Sequence, residues 1–207
     1  MTMGKVTRRA FVGAVACVAA GAAVGCVGRA FNGSSDILRP PLADASGDFE
    51  SLCIKCERCT SVCPQGIIKP AGIEEGPIQA RTPQIDFKKG YCTFCNLCVQ
   101  VCPTGALVAA NPQMPSSGRI GAAIIHEDAC LAFKESGSCG VCIDACVYGA
   151  LSFDDERRPV VDNAKCNGCG RCVAVCPADV ATRFDGADYR GVEVITSDAA
   201  GKEGESA

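Results

Sequence analysis

Cys53-Ile54-Lys55-Cys56-Glu57-Arg58-Cys59-Thr60-Ser61-Val62-Cys63-Pro64 sets four cysteines at C-x2-C-x2-C-x3-C with a proline directly behind the last. The same spacing returns at Cys92, Cys95, Cys98, Cys102 and Pro103, and again at Cys166, Cys169, Cys172, Cys176 and Pro177. A looser copy, third in chain order, uses Cys130, Cys139, Cys142 and Cys146; eight residues separate its first two cysteines, and Val147 stands where the others have proline. Three thiols from one tight loop reach three corners of a common centre. The fourth, after a short helical turn, points away from it. Proline fixes φ and lacks an N–H, so it turns the chain out of that helix.

Composition says what these cysteines must do. Sixteen of the 18 cysteines in 207 residues fall in the four quartets, there is no Trp, and aromatics are 5% of the chain. Segments of about 50–70 residues with so few large side chains cannot be held by apolar burial alone and need staples. Disulfides are one kind of staple, natural in an exported chain, but they do not require a fixed repeated spacing. Zinc sites present C-x2-C pairs with a longer spacer, which a C-x2-C-x2-C triplet followed by Cys-Pro fits poorly. The spacing is that of bacterial ferredoxins, where three cysteines of a run hold one [4Fe–4S] cluster and the fourth ligates the other cluster of a pair. The expectation is four [4Fe–4S] clusters on the sixteen quartet cysteines.

Around the quartets short strands are predicted: Gly66–Lys69 against Gln84–Phe87, then Ala106–Val108, Ala122–Ile125, Ala150–Phe153, Pro159–Asp162 and Asp179–Phe184. The fold expected is α+β, two tandem 2[4Fe–4S] ferredoxin-like modules at 49–111 and 119–186, parted at the breaker-rich Asn111–Gly118. The first module shows no strand before Cys53. Fourth-cysteine exchange has two arrangements. Adjacent quartets swap, Cys102 joining the first triplet and Cys63 the second, Cys176 the third and Cys146 the fourth. Alternatively quartet one pairs with four and two with three. Spacer length excludes neither, and adjacent pairing is preferred. The longer loop Leu131–Ser138 in the third quartet is either a docking or tuning loop or a tolerated insertion.

The N-terminal stretch carries an address. Thr7-Arg8-Arg9-Ala10-Phe11-Val12 precedes an Ala/Gly/Val-rich run to Val27, the pattern of a twin-arginine export signal over residues 1–27. That route moves folded proteins, which suits a cluster protein. Ala10–Val27 is 18 residues, near the lower limit for a spanning helix, so the segment is either removed or kept as a membrane anchor. Ala23-Val24-Gly25-Cys26 loosely matches a lipidation site, and Cys26 also reads simply as a small apolar residue. Residues 28–48 read as an exposed linker and 197–207 as a disordered tail.

The formal net charge of −3 argues against nucleic acid and favours a partner with a basic docking patch. His126, the only histidine, reads as a surface residue beside Glu127 and Asp128. The chain has no G-x-G-x-x-G, no P-loop and no Ser/His/Asp set, and all sixteen quartet cysteines are expected as ligands. The expectation is an electron carrier, not an enzyme.

Three stretches add a resemblance. Cys130-Leu131-Ala132-Phe133 with Gly137-Ser138-Cys139-Gly140-Val141-Cys142-Ile143-Asp144-Ala145-Cys146, and Lys165-Cys166-Asn167-Gly168-Cys169-Gly170, resemble the ferredoxin-type proteins of periplasmic nitrate reductase systems. Arg39-Pro40-Pro41 and Cys92-Thr93-Phe94-Cys95 are similar to the NapF type, whereas the export segment resembles the NapG/MauM type. The NapG-like resemblance implies an electron-transfer subunit on the outer face of the membrane. It would take electrons from a membrane-bound quinol-oxidising iron–sulfur protein and pass them towards a c-type haem protein or molybdenum reductase. The NapF-like resemblance implies an accessory or maturation protein for such a reductase. The export signal favours the first.

Overall fold

A computed structural model describes residues 37–43, 49–107, 118–134, 139–178 and 190–196. The expected export segment, most of the linker, residues 111–117, the strand at 179–184 and the tail lie outside the described residues. Among the described residues no helix is long and apolar enough to cross a membrane.

The first module begins with α1 (Phe49–Leu52), which leads into Cys53, and α2 (Arg58–Val62) carries the first quartet to Cys63. β1 (Ile68–Pro70) pairs antiparallel with β2 (Pro83–Ile85), Ile68 opposite Ile85. The second quartet follows and includes α3 (Leu97–Gln100). In the second module β3 (Ala122–Ile125) leads to the third quartet with α4 (Val141–Ala145). β4 (Leu151–Phe153) pairs with β5 (Pro159–Val161), and α5 (Arg171–Val175) carries the fourth quartet. β6 (Val192–Ile195) closes the module by pairing antiparallel with β3, Ala122 opposite Ile195 and Ile125 opposite Val192. Helices of four or five residues cannot persist on propensity alone, since nucleation costs more than so few bonds return. What holds them is a shared apolar core in which Phe49, Ile67, Phe87, Leu107, Ile120, Leu151, Val173 and Val192 pack with the cysteines.

The two modules repeat one another at the entry to their second quartets. The Asp86 N–H donates to the Ile67 carbonyl (2.7 Å) and the Asp162 N–H to the Ala150 carbonyl (2.7 Å). Each carboxylate then accepts an amide two residues on, from Lys88 (3.0 Å) and Ala164 (2.9 Å). Ion pairs with Lys69 and Lys165 complete the match.

Three expectations change. The second module, expected to end at residue 186, extends to Val192–Ile195, which pairs with Ala122–Ile125 and puts the buried side chains of Val192 and Val194 on one face of the ladder. Ala106 and Leu107 are buried but form no strand; Val108 lies outside the described residues. Residues 37–43 are no exposed linker. Pro40, Leu42 and Ala43 are buried, and the Ile85 N–H donates to the Leu38 carbonyl (2.8 Å), so this segment lies along the free edge of β2. Arg39 is 9% exposed. Its guanidinium donates to the Thr82 hydroxyl, the Pro83 carbonyl (3.2 Å), Gln79 (3.2 Å) and Glu50 (3.2 Å), and lies 4.8 Å from the Phe49 ring centre. A buried guanidinium needs such a set of acceptors to offset its lost hydration.

Candidate cluster-binding centres

The cysteine loops are shaped by left-handed backbone on either side of the second cysteine. Lys55 and Glu57 flank Cys56 at φ 56° and 61°, Phe94 and Asn96 flank Cys95 at 53° and 58°, and Gly168 and Gly170 flank Cys169 at 73° and 75°. Such angles curl the loop around its own centre, and a residue with a side chain holds them only when surroundings impose them. In the third quartet Gly140 is instead at φ −134°, consistent with its changed spacing. That quartet keeps the exit turn without proline. Gly149 has φ 60°, as Gly66 does after Cys63, and each donates its N–H to the cysteine carbonyl three residues back (3.3 and 3.1 Å). Glycine three residues on makes the turn, so Val147 is tolerated.

Four cavities result, of about 440, 390, 330 and 350 Å³ including space open to solvent. Cys53, Cys56 and Cys59 line the first together with Cys102. Cys92, Cys95 and Cys98 line the second with Cys63. Cys130, Cys139 and Cys142 line the third with Cys176. Cys166, Cys169 and Cys172 line the fourth with Cys146. The structure therefore gathers the thiols by adjacent exchange, three from one loop and one from the neighbouring loop in the same module.

The electrostatics ask for a cationic occupant. Burial first, then neighbouring thiols, pushes Cys92 and Cys172 up to about 12 and Cys98 and Cys142 up to about 11. Thiols raised in this way become thiolate ligands only where a positive centre replaces their protons. Among the described residues no three His, Cys, Asp or Glu side chains are placed to hold a single metal ion. The thiols ring a space, four to each cavity, a donor set that fits a polynuclear iron–sulfur cube.

Backbone amides are aimed at the sulfurs, a further requirement of such a centre. The Phe94 N–H donates to Cys92 Sγ (3.4 Å), Ala123 to Cys166 Sγ (3.4 Å) and Ala150 to Cys146 Sγ (3.3 Å). Burial would raise the Cys102 thiol, but amides of Leu107, Thr104 and Ala106 and the Thr104 hydroxyl hold it below its ordinary value. Thr104 Oγ1 is 3.8 Å from Cys102 Sγ. No spacing pattern flags Thr104; its place two residues past a quartet cysteine is the only sequence cue.

The third quartet's longer loop starts with a 3-10 turn at Leu131–Phe133, Leu131 lines the third cavity, and Arg158 stacks 5.2 Å from the Phe133 ring centre. Residues 135–138 lie outside the described residues. His126 stands apart from the cavities' lining and pairs with Glu193 at 2.9 Å across the β3–β6 ladder.

Comparison with known proteins bears on these centres. A family model described as a 4Fe-4S dicluster domain matches residues 52–106 and 137–180, so it takes in every quartet cysteine except Cys130, which the fold brings to the third cavity. The methylamine utilization ferredoxin-type protein MauM of Methylobacillus flagellatus is 32% identical over 155 residues, 69% of this chain and 65% of that protein, just under two thirds of its length. The ferredoxin-type protein NapF of Escherichia coli K12 is 30% identical over 157 residues, covering 72% of this chain and 85% of that protein. NapG of the same organism is 30% identical over 173 residues, 76% and 74% of the two chains. Two 4Fe-4S dicluster matches on tandem helix-and-strand modules, with relatives matched over most of their length, place the chain: it belongs to the ferredoxin-type 4Fe-4S proteins.

Proposed function

We propose that the chain is an exported electron-transfer protein holding four [4Fe–4S] clusters. In this reading Cys53, Cys56, Cys59 and Cys102 hold the first, Cys63, Cys92, Cys95 and Cys98 the second, Cys130, Cys139, Cys142 and Cys176 the third, and Cys146, Cys166, Cys169 and Cys172 the fourth. The observation that carries it is the set of four cavities, each lined by four cysteines from two loops. Clusters held there would supply one-electron redox capacity. The chain's own residues fix their spacing, exclude water with Leu107, Ile67, Leu151 and Val192, which line the four cavities, and aim amides at the sulfurs.

The partners are those the resemblance implies, and the ferredoxin-type relatives support a redox role. Electrons come from a membrane-bound quinol-oxidising iron–sulfur protein and leave towards a c-type haem protein or molybdenum reductase on the outer side of the cytoplasmic membrane. The Arg8-Arg9 segment would deliver the folded, loaded chain there and leaves it membrane-associated. The likeness to NapF over 85% of that protein's length keeps an accessory or maturation role as the second reading.

Fractionation with iron assay tests both. The native chain is compared with an Arg8→Lys/Arg9→Lys variant, iron being counted in each compartment. About sixteen irons per chain outside the inner membrane, with the variant held in the cytoplasm, is the expected result. A native chain that stays cytoplasmic overturns export and moves the maturation role ahead.

A further inference from the structure

The loops of the second and fourth quartets touch directly. The Cys92 N–H donates to the Cys169 carbonyl at 2.8 Å, and these two residues line the second and fourth cavities. Immediately beside them Arg171 lies 4.6 Å from the Tyr91 ring centre and donates to its hydroxyl at 3.2 Å. Gly170 is packed so closely on Phe87 that a Cβ there would stand 2.0 Å from the ring. Arg190 ties the same seam by donating to the carbonyls of Val173 and Lys88. The seam is bonded on both sides of the Cys92–Cys169 contact.

Within each module the cavities are also neighbours. α2 packs on α3 and α4 on α5, and the thiols of Cys59 and Cys98, and of Cys142 and Cys172, lie close enough to act on one another electrostatically. From Cys92 Sγ a path runs through its Cβ, Cα and N–H, over one hydrogen bond, into the carbonyl, Cα, Cβ and Sγ of Cys169. Electronic coupling falls off more slowly along bonds than across a gap.

We propose that this Tyr91–Cys92/Cys169–Arg171 contact is the electronic junction between the modules, so that the cavities run in the order first, second, fourth, third. The proposal rests on the four-cluster reading above. The transfer is of one electron, lost on one side of the seam and gained on the other, with no bond formed or broken. Tyr91 and Arg171 are positioning residues that hold the two loops together, and the first and third cavities are the ends of the series.

The test is electron paramagnetic resonance on the reduced full chain, with iron counted in each sample. Cys56→Ala and Cys95→Ala alter equivalent exposed cysteines of the first and second cavities, so each controls for the other's effect on folding. Spin–spin interaction between the modules is expected to survive Cys56→Ala and to be lost in Cys95→Ala. Tyr91→Leu/Arg171→Leu is expected to slow electron equilibration between modules roughly tenfold while keeping iron and the interactions inside each module; Arg171→Lys restores most of the rate. Inter-module interaction that survives Cys95→Ala but not Cys56→Ala overturns the junction. So does an unchanged rate in the Tyr91/Arg171 variant. A native chain with far fewer than sixteen irons overturns the four-cluster reading instead.

Discussion

The two modules hold the same kind of loops yet are closed by different means. Each has a short antiparallel pair between its quartets, β1 with β2 and β4 with β5, and each enters its second quartet through an aspartate turn. The second module is then sealed by the β3–β6 ladder, whose Val192 and Val194 are buried. Among the described residues the first has no such second ladder. In its place the segment 37–43 lies against β2, held by one buried arginine among Thr82, Pro83, Gln79, Glu50 and Phe49. Cluster loops are therefore indifferent to what closes them, provided the apolar floor is covered and the backbone groups at its edge are satisfied.

That contrast is broken most strongly at Arg39. Arg39→Ala leaves the fully buried Thr82 hydroxyl without its donor and opens the edge of β2, and costs the first module about 2–4 kcal/mol. Denaturant unfolding followed by circular dichroism, with iron release, should show the first module yielding early. Unchanged first-module stability would mean that the clusters alone hold it.

Val192→Ala makes the converse cut, removing buried methyls from the ladder at a cost of about 1–2 kcal/mol. Hydrogen exchange should then show protection lost at β3 and β6 while the Ile85 and Asp86 amides keep theirs. Equal loss in both modules would show that the shared core, not the separate seals, governs stability.

The aspartate turns give a smaller effect with a definite sign. Burial would raise Asp86, but the Lys88 amide and the Lys69 ammonium hold its carboxyl below the usual range. A depressed folded value means that its stabilisation is present above the unfolded carboxylate pKa and is lost as pH falls through the folded one. Asp86→Asn should flatten the acidic limb of the stability–pH profile by under about 1 kcal/mol. A steeper limb in the variant would reverse the assignment.

Thr104 sharpens the comparison at the sulfurs. Ala178 occupies the corresponding place after Cys176-Pro177, so only the first module has a hydroxyl there. A hydrogen bond to a ligand sulfur favours the more negative, reduced form. Thr104→Val should therefore lower the first centre's potential by about 20–40 mV, the equivalent of one weak bond, in a redox titration. No shift would leave the backbone amides as the sole tuning groups at Cys102.

Much of the site was legible because its shape is local. The C-x2-C-x2-C-x3-C spacing, the Cys-Pro exits and the β1, β2, β3, β4 and β5 positions all depend on residues a few places apart. Even the odd third quartet obeys this, since Gly149 supplies the turn that Pro64 and Pro103 had suggested was proline's work. What was misread involved distant partners. Arg39-Pro40-Pro41 looks like punctuation in a linker until Thr82 and Phe49 are beside it. β6 follows a polar stretch and pairs back nearly 70 residues, from Val192 to Ile125.

By itself, then, the sequence determined the four cysteine loops, their iron–sulfur chemistry and the short strands that flank them, because turn geometry and φ preferences act over a few bonds. Only the tertiary structure decided which fourth cysteine faces which triplet, what seals each module, and that the second and fourth loops meet. Closing a longer spacer costs only slightly more chain entropy than closing a shorter one, so length could not choose among pairings. The choice was made by packing: which apolar faces, carbonyls and guanidinium groups find partners when the two modules share one core.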